Sequence, residues 1–215
     1  MLDNVPKATR NLIIINVLVF VGTLLNEDAM TRAFALFYPT SPLFHWWQYV
    51  THMFMHGGIW HILFNMYTLF IFGSVIERII GTEKFLTLYF VCGLGAAALH
   101  TGVEFLQVQG LMDRIADGNT AAMQAYSQLK MTPTVGASGA IYGVLMAFGM
   151  LFPDRIVQML IPPVALKAKW FVIIFAAIEL LIGLSNAADG VAHFAHLGGM
   201  LFGYLLILYW KHNGR

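Results

Sequence analysis

Apolar residues in this chain gather into six long runs, separated by turns and by two longer polar or mixed stretches. The runs cover about 11–25, 60–80, 85–103, 137–152, 170–187 and 191–210. A membrane-spanning helix needs about 20 predominantly apolar residues at about 1.5 Å rise each. The pattern therefore predicts six transmembrane helices, an all-α bundle forming one membrane domain over residues 1–215. The first run follows Asp3, Lys7 and Arg10, as a signal peptide would. No clean small-residue cleavage site follows it and five more apolar runs do, so it reads as a retained helix.

The two long connections differ in character. Residues 26–59 carry no charge from Ala33 onward and are rich in Phe, Trp, Tyr, His and Pro. Trp and Tyr favour the membrane interface, so this segment reads as an interfacial loop. Residues 107–134 mix Asp113, Arg114, Asp117 and Lys130 with Leu111, Met112, Ile115, Met123, Tyr126 and Leu129. That mixture predicts an insertion of one or two short amphipathic surface helices.

Composition agrees with a lipid environment. The chain is 59% hydrophobic and 11% charged, against about 25% charged in soluble domains. A net charge of +1 gives no reason to expect a nucleic-acid partner. Cys92 is the single cysteine, so no internal disulfide forms. With six spans, Lys7, Arg10, Arg78, Lys84, Arg155, Lys167, Lys169, Lys211 and Arg215 fall on one side, and Arg32, Arg114 and Lys130 on the other. The positive-inside rule then puts both termini in the cytoplasm. Short loops and a compact core suggest a bacterial inner membrane.

Polar residues at membrane depth are costly and each asks for a reason. Gly136-Ala137-Ser138-Gly139 opens the fourth run. It suits either a nucleophilic serine beside free backbone N–H groups or close helix packing through Gly139 and Gly143. His196, Gly199 and Gly203 share one helix face in the sixth run. That face suits either a general base brought against Ser138 or a buried histidine bonded to a carbonyl. His61 and Asn65 stand one turn apart in the second run and suit an oxyanion pocket or interhelical hydrogen bonding. Glu179 stands alone in the fifth run and reads as a packed, neutral carboxyl bonded inward.

Together these residues resemble the rhomboid family of intramembrane serine proteases. The resemblance rests on His52-Met-Phe-Met-His56-Gly-Gly-Ile-Trp-His61-Ile-Leu-Phe-Asn65, on Gly136-Ala-Ser138-Gly139-Ala-Ile-Tyr142, and on Ala195-His196-Leu-Gly-Gly199-Met-Leu-Phe-Gly203. It spans about residues 11–210 and implies a serine endopeptidase that cleaves transmembrane segments of membrane proteins. Ser138 would be the nucleophile and His196 the general base of a dyad without a third, acidic member. His61, Asn65 and the Ser138 N–H would form the oxyanion hole. Tyr142 would stack on His196, Gly199 would allow close helix contact, and His52 and His56 would hold the loop before the second helix. His193 would support the site, and Glu77 would pair with polar partners near the end of the second helix, such as Arg78 or loop backbone. The resemblance implies that the fifth helix gates lateral substrate entry, where Glu179 would either affect the gate or stay a packed, neutral carboxyl. No metal or cofactor is implied. Gln48 stands where the family often has arginine, which puts the rigidity of the first loop in question.

Competing readings fit less well. A zinc protease would need His-Glu-x-x-His, and Met-Phe-Met lies between His52 and His56. An aspartyl protease would need two helical aspartates, and Asp189 beside Gly190 is the nearest candidate. A client-binding rhomboid-like pseudoprotease would usually lack the serine or histidine. A transporter would show broken-helix pairs and internal symmetry, and the sequence has neither.

Overall fold

The computed structural model describes residues 5–158, 163–185 and 191–213. Ten helices form within them. Helix α1 (Lys7–Leu25) is followed by α2 (Glu27–Phe34) and the single turn α3 (Gln48–Thr51). Next come α4 (Ile59–Thr68) and α5 (Ser74–Ile80), joined without a break through a π turn at Leu69–Gly73. Then follow α6 (Thr82–Ala116), α7 (Thr120–Met131), α8 (Ser138–Leu151), α9 (Ala168–Leu184) and α10 (His193–Asn213). A short antiparallel hairpin, β1 (Ile156–Gln158) and β2 (Ala165–Lys167), pairs Val157 with Leu166 between α8 and α9.

Four described helices are long and apolar enough to cross a membrane: Lys7–Leu25, Ile59–Ile80, Thr82–Ala116 and His193–Asn213. The other two expected spans are shorter, 14 residues in α8 and 17 in α9. The expected fifth run continues to 187, and its last residues, with Asp189, Gly190 and Arg215, lie outside the described residues. At 1.5 Å per residue α8 is about 21 Å long, against about 30 Å of hydrocarbon. Its first residue is Ser138.

The insertion departs from expectation in one respect. Its first part is no separate helix: α6 continues unbroken through Val103 to Ala116. The stretch contains no proline, and Glu104, Leu106, Gln107, Gln109, Leu111 and Met112 are good helix formers, so the helix runs on through it. It ends at Asp117-Gly118, where Gly118 takes φ +80°, and Asn119 then caps α7 by accepting from the Ala122 N–H.

The centre of the bundle is α6, α8 and α10, each packed against the other two. Small residues make this possible. A Cβ on Gly199 would lie 1.8 Å from the Gly139 carbonyl oxygen, and one on Gly143 would lie 2.2 Å from Cys92 Sγ. Glycine at 199 therefore permits backbone-to-backbone contact between α8 and α10. Helix α9 packs on α8 and α10 from outside, and Trp170, Ile173, Ile178 and Leu181 face outward from it.

Glu77 has a polar partner at the turn after its own helix, as expected, and others at the start of α1. Its carboxylate accepts from the Ala8 N–H (2.9 Å), the Thr9 N–H (2.7 Å) and hydroxyl (2.8 Å), and the Thr82 hydroxyl (2.8 Å). It caps the first turn of α1 from another helix, where a negative charge also meets the positive end of the helix dipole. Gln48 secures the first loop by itself. Its Oε1 accepts from the His45 N–H (3.1 Å), and its Nε2 donates to the Leu43 (2.9 Å) and Arg32 (3.1 Å) carbonyls. An amide offers both donors and acceptors, so arginine is not required to bind this loop's backbone.

Candidate active site

Ser138 is the first residue of α8, directly after an extended segment fixed at two points. Thr134 exchanges two backbone hydrogen bonds with Leu36, and the Gly136 N–H donates to the His52 carbonyl at 3.0 Å. His52 is itself held by a 2.8 Å contact from Nδ1 to the Gln48 carbonyl oxygen. Gly136 takes φ +138°, a conformation open to glycine, and a Cβ there would lie 3.0 Å from His61 Nε2 and 3.3 Å from Ser138 Oγ. Glycine thus turns the chain into α8 and keeps the space between His61 and Ser138 clear.

The serine and histidine predicted to pair are together. His196 Nε2 lies 2.8 Å from Ser138 Oγ, although 58 residues separate them. The Tyr142 ring lies flat on the His196 ring, with centroids 4.2 Å apart and planes 6° from parallel. The close approach at Gly199, one turn along α10 from His196, brings the two helices into this register.

His61, Asn65, Ser138 and His196 line one cleft of about 1630 Å³. Asn65 Nδ2 is buried without a hydrogen-bond partner. An unpaired amide donor is costly to bury, and it marks a place where an acceptor can be received. The first N–H groups of α8 add donors at the same end, because a helix's first turn has no internal acceptors. His56 packs edge-on against His61, with centroids 4.9 Å apart. Of the predicted residues, His52 and His56 sit behind the cleft, whereas His61 and Asn65 face it.

The carboxyl expected to be bonded inward from the fifth run also reaches this site. Glu179, on α9, accepts a hydrogen bond from the Tyr142 hydroxyl. Its Oε2 lies 2.6 Å from His193 Nδ1, and its Oε1 lies 3.0 Å from His196 Nδ1. The latter contact is within ion-pair distance but off the line of the ring N–H, so it is not a formed hydrogen bond. The resemblance implies a dyad without a third, acidic member, and the structure places the Glu179 carboxylate beside His196 without a formed hydrogen bond to it. The available signal was the isolation of Glu179 itself, since an ionisable residue at membrane depth usually has a partner. These donor atoms lie within 4.8 Å of one another. Tetrahedral zinc holds its ligands about 2.0–2.2 Å from the ion, hence about 3.3 Å apart, so the 2.6 Å contact is spaced as a hydrogen bond. His100 and Glu104 of α6, also passed over in the sequence, line the far wall of the cleft, with His100 Nε2 3.0 Å from Thr134 Oγ1.

Fold and site thus define a helical, multi-pass membrane protein with a serine and a histidine paired below one end of the bundle. The rhomboid domain family model matches residues 43–212, and the chain belongs to the rhomboid family. It is 28% identical over 210 residues to rhomboid protease AarA of Providencia stuartii, covering 92% of this chain and 70% of the relative. It is 29% identical over 160 residues to RHOMBOID-like protein 6, mitochondrial, of Arabidopsis thaliana, covering 74% and 42%. Over 171 residues it is 30% identical to the presenilin-associated rhomboid-like protein, mitochondrial, of Bos taurus, covering 74% and 38%. The chain spans less than half the length of the latter two.

Proposed function

We propose that this chain is an intramembrane serine endopeptidase that cleaves transmembrane segments of other membrane proteins. The observation that carries the reading is the 2.8 Å contact between Ser138 Oγ and His196 Nε2 in the cleft lined by Asn65 and His61. Ser138 attacks the scissile carbonyl as His196 takes its proton. The developing oxyanion is received by Asn65 Nδ2, His61 and the Ser138 N–H. His196 returns the proton to the leaving amine as the acyl–Ser138 ester forms. Water, deprotonated by the same histidine, then hydrolyses that ester. Tyr142 holds the imidazole plane, while Gly136, Gly139 and Gly199 keep backbone and helices close enough for the pair to meet. His52 and His56 anchor the preceding loop.

We further read the chain as one membrane domain of six spans, with α8 and α9 as the two short ones, both ends cytoplasmic, and 26–59 in the membrane interface. Charge placement supports this topology. Lys84 lies over the Trp210 ring at 5.8 Å, Lys211 donates to the Met150 carbonyl at 3.1 Å, and Lys167 and Lys169 pair with Asp154. These basic residues gather at the end of the bundle opposite Ser138, and a bacterial inner membrane suits that asymmetry.

The test is labelling of the purified protein in detergent with a fluorophosphonate probe. The native chain should label, and Ser138→Ala and His196→Ala should not. A folded native protein that stays unlabelled would refute the protease and leave a client-binding role.

A further inference from the structure

Glu179 has three polar neighbours on two other helices, Tyr142 of α8 and His193 and His196 of α10. Packing alone does not require a carboxylate there, since an apolar residue would fill the space without the cost of desolvating a charge. What distinguishes the position is its relation to His196. For Nε2 to accept the Ser138 proton, Nδ1 must carry the ring's own hydrogen. A neutral imidazole in apolar surroundings has no strong preference between its two tautomers. With hydrogen on Nε2 it would donate to Ser138 Oγ and could not act as a base. Glu179 Oε1 is the acceptor beside Nδ1.

We propose that Glu179 is the positioning carboxylate of this site, holding His196 in the Nδ1–H tautomer. The inference rests on the proteolytic reading given above. It follows from the 3.0 Å approach of Oε1 to His196 Nδ1. The hydrogen bond is misaligned in the unliganded protein, and catalytic hydrogen bonds often tighten only when substrate is bound. Tyr142 and His193 grip the carboxylate from α8 and α10 and fix it beside the His196 ring.

Three measurements on the full chain in lipid test this. First, Glu179→Gln puts an amide where the carboxylate was and should lower kcat at least about 100-fold with KM nearly unchanged, by analogy with the loss when a triad aspartate becomes asparagine. Second, Glu179→Asp keeps the charge and should recover a large part of that loss, whereas Glu179→Leu should not. Third, ¹⁵N NMR of histidine-labelled protein should show His196, assigned by loss of its signals in His196→Gln, as the Nδ1–H tautomer in the native chain and as the Nε2–H tautomer in Glu179→Gln. The third readout needs no turnover. A native protein without protease activity would sink the proteolytic reading. An active native protein whose Glu179→Gln variant keeps kcat or the Nδ1–H tautomer would sink this inference. So would a loss in Glu179→Gln that Glu179→Asp does not relieve, because the carboxylate would then matter only for packing.

Discussion

Replacing Gly199 with alanine tests whether the helix contact sets the geometry of the serine and histidine. The added Cβ would stand 1.8 Å from the Gly139 carbonyl oxygen and 2.7 Å from its carbonyl carbon. Both are backbone atoms, so no side-chain rotation relieves the clash. Reaching ordinary contact near 3.4 Å requires α8 and α10 to part by about 1.6 Å. Gly139 adjoins Ser138, and Gly199 is one turn from His196. A rigid separation would carry the 2.8 Å Ser138–His196 contact toward about 4.4 Å, beyond hydrogen-bonding reach. Misplacement of reacting groups by about 1 Å costs about 100-fold in rate, or about 2.7 kcal/mol of transition-state stabilisation. Overpacking should also lower stability by about 1–3 kcal/mol. The assay is cleavage of a fluorogenic transmembrane peptide in proteoliposomes, with thermal unfolding in detergent followed in parallel. Gly102→Ala is the control, because a Cβ there meets nothing within 4 Å, and its activity should be unchanged. Native activity in Gly199→Ala would refute the claim that this contact aligns the pair.

Three other outcomes follow from the same structure. Asn65→Ala should lower kcat about 10²–10³-fold, as removal of an oxyanion-hole donor does elsewhere, and normal turnover would show that the amide serves packing only. Glu77→Ala strands the Ala8 and Thr9 N–H groups and two hydroxyls, so it should cost at least about 2 kcal/mol, seen as a lower unfolding temperature with the fluorophosphonate labelling pattern unchanged. Stability should also fall on acidification. Burial lowers His52 to about 4, and burial with the neighbouring His61 lowers His56 to about 3. The unfolded chain takes up those protons near pH 6.5, so this contribution is whole above that pH and is lost as pH falls toward 4 and then 3. Unfolding temperatures measured from pH 7.5 to 4 should decline, and His56→Phe should flatten the decline. An unchanged slope in that variant would place the acid sensitivity elsewhere.

The sequence showed where helices form and which polar residues are candidates for chemistry, because both are local properties. Apolar runs located α1, α4 with α5, α6, α8, α9 and α10 to within a few residues over most of their ends, and Gly136, Ser138, His196, His61 and Asn65 stood out as polar or small residues in apolar surroundings. It did not show that α6 continues to Ala116, since the change from apolar to amphipathic composition there alters the environment of the helix and not its backbone. Tertiary structure alone decided the partners. Glu77 meets the start of α1 across 68 residues of chain, and Glu179 reaches His193 and His196 because α9 and α10 lie side by side. A carboxylate's cost at membrane depth is local and visible in sequence. The group that offsets that cost is fixed by how helices dock, and a close approach such as that at Gly199 exists only once they have done so.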